Sequence, residues 1–108
     1  MNHAPRVSVI IPAYNSADYL PEALDSVLRQ DYTNYEIIVI DDGSTDHTRD
    51  RVQPYKDQIR YLYQENQGVS RARNHGIEVA HGELVAFLDA DDFFLPHKLK
   101  AQVAVFDT

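Results

Sequence analysis

Leu84-Val85-Ala86-Phe87-Leu88 is an unbroken apolar run that stops on Asp89, Asp91 and Asp92, and it restricts the folds open to this chain more than any other stretch. A short apolar run bounded by Gly82 and by charge predicts a strand buried on both faces. Strands of that kind belong to parallel sheets, where ligands bind beyond the carboxyl ends. Three carboxylates crowded at such an end repel one another unless a cation lies among them. A hard divalent ion with oxygen ligands, Mg²⁺ or Mn²⁺, answers that need. An Asp that ends the strand and caps the next helix accounts for one of the three, but less well for all of them.

The rest of the chain repeats the pattern. Val7 to Ile11 is an apolar, β-branched run that Pro12 should close, and Pro12 to Ser16 reads as a turn. Leu20, Ala23, Leu24, Val27 and Leu28 then recur at helical spacing, with Asp18 as N-cap and Pro21 in the first turn. Tyr35 to Ile40 is a second buried strand, ending on Asp41 and Asp42. Ser44 or Thr45 is placed to cap a short helix running to Gln53 before Pro54. Ile59 to Tyr63 predicts a third strand near an edge. Gly68 precedes a helix with Val69, Ala72, Gly76, Ile77 and Ala80 on its apolar side and Gly82 as C-cap. Gly76 costs that helix about 1 kcal/mol against Ala, which close packing on the sheet would explain. Pro96 should begin a last helix carrying Leu99, Val103 and Phe106. Strands alternating with helices imply an α/β fold, a mainly parallel sheet with right-handed crossovers.

Composition removes whole classes of function. With 108 residues the chain holds one domain, and 44% apolar residues suffice for a core. Lys and Arg number 10 against 17 Asp and Glu, a net charge of −7 without a basic stripe, which argues against nucleic acid as partner. There is no cysteine, so disulfides and thiolate metal sites are excluded. No run approaches the ~18 apolar residues of a membrane span, and the N-terminus lacks the form of a signal peptide. A cytoplasmic location is expected, with association to the inner face of a membrane open to a longer enzyme. The five histidines, His3, His47, His75, His81 and His97, have no metal-ligand spacing and read as surface or packing residues.

In a parallel sheet the loops after the first, second and fourth strands open on one edge. Tyr14 with Asn15, Asp41 with Asp42, and Asp89 with Asp91 should therefore converge. No G-x-x-x-x-G-K-[ST] or G-x-G-x-x-G follows the first strand, so the usual glycine-rich phosphate loops are not used. A bound diphosphate would have to be met by a metal, by amides at the helix start after Gly68, or by Arg71 and Arg73.

Four motifs in order carry a resemblance over almost the whole chain. They are Val7 to Asn15, Ile38 to Asp46, Gly68 with Ala72-Arg73-Asn74-His75-Gly76, and Phe87-Leu88-Asp89-Ala90-Asp91-Asp92. Together they resemble family 2 glycosyltransferases, which implies the Rossmann-like GT-A fold, a three-layer α/β sandwich, present here in part. It also implies an inverting, metal-dependent transfer of a sugar from a nucleotide-diphosphate sugar, a UDP-sugar above others, to a hydroxyl of a glycan or lipid acceptor. By the resemblance, Pro12, Ala13, Tyr14 and Asn15 line the nucleotide pocket, with Tyr14 against the base. Asp41 accepts a hydrogen bond from the base, Gly68 and Arg73 face the donor, and Asp89 and Ala90 contact it. Asp91, with Asp89, binds Mg²⁺ or Mn²⁺. Each role has a plainer rival. Tyr14 can pack on the sheet edge, Asp42 can support the Gly43-Ser44 turn, and Arg73 can pair with Asp41 or Asp91.

Inversion needs a general base for the acceptor hydroxyl, and in this family that carboxylate lies well beyond the D-x-D element. The sequence is therefore expected to be the donor-binding portion of a longer enzyme, without a catalytic residue of its own and prone to self-association through uncovered apolar edges. Two other readings compete. Haloacid-dehalogenase-like phosphatases also carry a D-x-D, but continue it with Thr or Val where this chain has Phe93. The other is a non-catalytic α/β binding module.

Overall fold

The structure is a computed structural model that describes residues 4–107. Strand β1 (Val7–Ala13) is followed by helix α1 (Leu20–Leu28), β2 (Tyr35–Asp42) and the short helix α2 (Thr48–Val52), which passes into a 3-10 turn (Gln53–Tyr55). Then come β3 (Arg60–Gln64), α3 (Val69–Val79), β4 (Leu84–Phe87) and α4 (Lys98–Phe106). All strand pairs are parallel, in the order β3-β2-β1-β4.

The period-2 alternation of β1 and β2 splits the core in two. Val7, Val9, Ile11, Ile37 and Val39 meet Leu20, Leu24, Val27, Val52 and Leu99 from α1, α2 and α4. Ile10, Ile38 and Ile40 face the other way, onto Ala72 of α3. Helices on both faces make a three-layer sandwich, as the alternation of elements predicts. Gly76 explains how α3 comes so close, since a Cβ there would lie 2.5 Å from Ile10 Cγ2. The wider apolar stripe assigned to α3 is corrected. Val69 and Ile77 are 50% and 48% exposed. Ile77 sits about 140° round the helix from Ala72, and Val69 starts the helix beyond the end of β2, to which Gly68 is tied.

β4 also departs from expectation. It is an edge strand: Leu84, Ala86 and, just past its end, Leu88 face the core, while Val85 and Phe87 are 39% and 43% exposed. Helix α3 packs on β1 and β2 and leaves the outer part of that face open. Pro12 does not end β1 but lies within it, in register with Ile40. The carbonyls of Arg6 and Ile10 accept from Leu84 and Leu88, so alternation turns the missing N–H of Pro12 toward the same side, past the end of β4.

Several caps fall elsewhere than the sequence suggests. Tyr19 rather than Asp18 precedes α1, where the Ser16 carbonyl accepts from the amides of Tyr19 and Leu20. At α2 neither Ser44 nor Thr45 caps; the Asp46 carboxylate takes the Thr48 amide at 2.9 Å. α3 ends on extended Ala80, and Gly82 instead allows close approach to Ser8, whose Oγ accepts its N–H at 2.8 Å. His97, one residue after Pro96, leads into α4, which buries Leu99 but leaves Phe106 60% exposed.

Candidate functional site

The carboxyl edge of the sheet is built from three loops, and the first two are stitched together. β1 delivers Pro12 and Ala13 in register with Ile40 and Asp41. Asn15 follows at φ 47°, a left-handed conformation that Asn tolerates better than most residues. Its Oδ1 accepts from the amides of Thr45 at 2.8 Å and Asp46 at 3.3 Å, and its own N–H donates to Ser44 Oγ at 2.9 Å. The Ser16 amide donates to Thr48 Oγ1 at 2.9 Å, and that of Ala17 to Asp46 Oδ2 at 3.3 Å. Burial pushes the Asp46 carboxyl up, but bonds from the Thr48 hydroxyl and amide and from the Ala17 amide outweigh it and hold the group below its usual range. Within this stitched loop Tyr14 is 52% exposed.

The two carboxylates ending β2 divide the work differently from the plainer sequence reading. Asp41, 1% exposed, accepts the Ser44 amide on Oδ1 at 2.9 Å and the Tyr61 hydroxyl on Oδ2. It is therefore Asp41, not Asp42, that supports the Gly43-Ser44 turn. Asp42 faces α3 and holds the preceding loop, accepting from Gln64 Nε2 and the Gln67 amide at 2.8 Å and from the Gly68 amide at 2.9 Å. Asn66 Nδ2 adds a contact at 3.2 Å. Asp42 thus occupies the amides of Gln67 and Gly68, just before α3, and an anion at that helix start would have to use those that follow. Gly68 itself has φ 97° and nothing within 4 Å of where a Cβ would stand, so its outer side is open. Tyr61 escapes sequence inspection because its role depends on strand pairing. Burial first, and then the bond to Asp41, raise its phenol well above the usual value.

After β4, Ala90 turns into the core at 6% exposure while Asp89, Asp91 and Asp92 stay exposed. The Asp89 carbonyl accepts the Asp92 amide at 3.0 Å, closing a tight turn. Arg73 pairs with Asp89 at 3.0 Å, and not with Asp41 or Asp91, while its guanidinium lies 5.7 Å from the centre of the Phe87 ring. Its Nε is buried without a hydrogen-bond partner. Among the described residues no three His, Asp or Glu side chains converge as metal ligands, so Asp92 does not complete a protein-only site. A groove of about 740 Å³ runs beside this turn, lined by Arg73, Phe87, Asp89, Phe93, Leu95 and Lys98 among others. Neither Tyr14 nor Asp41 lines it, so it is a feature of the open β4 flank rather than the cleft between the first two loops.

The described histidines bear out their reading as surface and packing residues. His75 Nδ1 lies 2.9 Å from Gln64 Oε1, His81 is beside Glu36, His97 beside Asp31 and His47 beside Asp50. His3 lies outside the described residues. No described helix is long and apolar enough to cross a membrane.

Comparison with known proteins agrees with this architecture. An uncharacterised glycosyltransferase of Nostoc is 49% identical over 107 residues, which cover 95% of this chain and 33% of the relative. The chain spans about a third of the length of the first curated relatives it matches. Among solved structures, TarS of S. aureus in complex with UDP-GlcNAc superposes with a TM-score of 0.86 at 36% identity, over 94% of this chain and 31% of TarS. The mannosyltransferase PcManGT of Pyrobaculum calidifontis, in complex with GDP-Man and Mn²⁺, gives 0.77 at 33% identity, over 95% of this chain and 32% of its own. The three-layer sandwich is thus the Rossmann-like GT-A fold. The model of the glycosyl transferase family 2 matches residues 8–108, and the chain belongs to that family.

Proposed function

We propose that this chain is the donor-binding portion of an inverting, metal-dependent hexosyltransferase that takes sugar from a UDP-sugar. One observation carries the reading. An exposed tyrosine, a buried carboxylate and an acidic turn share the carboxyl edge of a sheet that superposes on TarS with UDP-GlcNAc bound. Tyr14 offers an aromatic face to the base, and Asp41 is acceptor-only, suited to the ring N–H of uracil. Pro12, Ala13 and Asn15 shape that end of the pocket, Asn15 by fixing the loop. Gly68 leaves room on its side of the cleft, and Ala90 anchors the acidic turn in the core. Arg73 holds Asp89 and is the nearby cation for a phosphate.

The acidic turn fits a hard cation in part. Asp91 and Asp89 supply exposed oxygens of the right chemistry, and since no third His, Asp or Glu joins them among the described residues, diphosphate and water would have to complete the ion's shell. PcManGT, seen with GDP-Man and Mn²⁺, supports that assignment. When bound, the ion neutralises charge on the departing diphosphate. The base that deprotonates the acceptor hydroxyl belongs to sequence beyond these residues, so this chain alone should bind donor without efficient transfer. The acceptor is a hydroxyl of a glycan or lipid, and the enzyme works in the cytoplasm. Exposed Val85, Phe87, Phe93 and Leu95 favour self-association of the isolated chain, which sedimentation equilibrium would detect.

The direct experiment is calorimetric titration of UDP with and without Mn²⁺, beside Asp91→Ala. Binding that needs Mn²⁺ and is lost in the variant supports the site. Equal binding in all three conditions would remove the metal from the proposal.

A further inference from the structure

We infer that Tyr61 is a positioning residue for base recognition: its hydroxyl fixes the Asp41 carboxylate so that the site reads the hydrogen-bond polarity of the pyrimidine ring nitrogen. The inference rests on Asp41 facing the base, as proposed above, and adds a residue that no motif contains.

The geometry is specific. Asp41 is held on both oxygens, Oδ1 by the Ser44 amide at 2.9 Å and Oδ2 by the Tyr61 hydroxyl. One anchor on each oxygen fixes the plane of the carboxylate, which a single anchor would leave free to turn. A carboxylate has about four acceptor directions, so the two bonds leave capacity for a ligand. Tyr61 reaches Asp41 diagonally across the ladder, because β3 pairs Tyr61 with Val39 and Tyr63 with Asp41. The Arg49 guanidinium lies 5.8 Å from the Tyr61 ring and 5.9 Å from that of Tyr63, which confines the phenol from outside. Burial and the neighbouring carboxylate keep the phenol protonated, so Tyr61 can only donate to Asp41. With the Tyr61 hydroxyl donating to Oδ2, the Asp41 carboxylate faces a ligand as an acceptor of fixed orientation. Uracil presents a ring N–H to such a group, whereas cytosine presents a lone pair, which a carboxylate repels.

A tyrosine that only satisfied a buried carboxylate would affect stability and leave the choice of base alone. Affinities for UDP and CDP, measured in Mn²⁺ for the wild type, Tyr61→Phe, Asp41→Asn and the double variant, separate the two. The wild type should prefer UDP. In Asp41→Asn the preference should vanish, because the amide can turn its NH₂ toward cytosine. In Tyr61→Phe it should fall by about fivefold, the weight of roughly one hydrogen bond, through weaker UDP binding. In the Asp41→Asn background Tyr61→Phe should change nothing further. An unchanged UDP/CDP ratio in Tyr61→Phe, with Asp41→Asn losing it, overturns the role of Tyr61 and leaves the reading of Asp41 standing. An unchanged ratio in Asp41→Asn overturns both. Should Tyr61→Phe not fold, the Tyr61 hydroxyl proton of tyrosine-labelled wild type serves instead. Its NMR resonance should move on saturation with UDP, and a static resonance overturns the inference.

Discussion

Asn15 and Gly76 show how much a single side chain, or the lack of one, decides here. Asn15 combines a left-handed backbone with an amide oxygen that serves two amides of the neighbouring loop. Asn15→Ala removes that acceptor and keeps the strained backbone, so it should cost about 1–3 kcal/mol and weaken UDP binding. Asn15→Asp keeps an acceptor oxygen and should stay close to wild type. Urea midpoints with parallel titrations would show the split. Gly76→Ala should also destabilise, by about 1–3 kcal/mol, because the new methyl meets fully buried Ile10 2.5 Å away. Helix propensity alone predicts the opposite sign, a gain of about 1 kcal/mol. A higher urea midpoint for Gly76→Ala would therefore show that the contact with Ile10 relaxes.

Among the elements, the amino-terminal edge of the sheet is tied by one carboxylate. Glu36, at the start of β2, accepts Ser8 Oγ at 2.6 Å, Arg60 Nη1 at 2.9 Å and the His81 amide at 2.7 Å. It thereby joins β1, β3 and the turn before β4. Burial pushes its carboxyl up, but these donors and the Arg60 charge together hold it below its usual range. A carboxyl whose pKa is lowered by folding stabilises fully above the unfolded value. That contribution drains away as pH falls through the lower folded value. Stability measured by urea from about pH 6 to pH 3 should fall on the acid side, and Glu36→Gln should flatten that limb. An acid limb of the same slope in the variant would place the responsible carboxylates elsewhere, with Asp46 the next candidate. The position of Glu36 near the start of a strand is readable in the sequence. Its partners are not, since Ser8, Arg60 and His81 meet it only once strand order is known.

At the scale of the whole molecule, the sheet has a finished half and an open half. β1 and β2 are covered on both faces, whereas β4 exposes Val85 and Phe87, and Phe87 shares a groove with exposed Phe93 and Leu95. Replacing Phe87 and Leu95 with Ser should therefore leave the unfolding free energy from urea titration within about 1 kcal/mol of wild type while reducing self-association in sedimentation. A large loss of stability would mean that this flank already packs in the monomer.

Alternation of β-branched runs with 3.6-period segments was enough to determine an α/β parallel sheet, its helices on both faces and the edge on which Tyr14, Asp41 and Asp89 gather. These are local properties: period, strand-ending carboxylates and turn residues are written in neighbouring positions. Only the tertiary structure decided that β4 lies at an edge, that Arg73 holds Asp89, that Asp42 holds the loop before α3, and that Tyr61 reaches Asp41. Each of these depends on which strands pair and in what register, and that choice is settled by how the two cores pack across the sheet, between residues far apart in the chain.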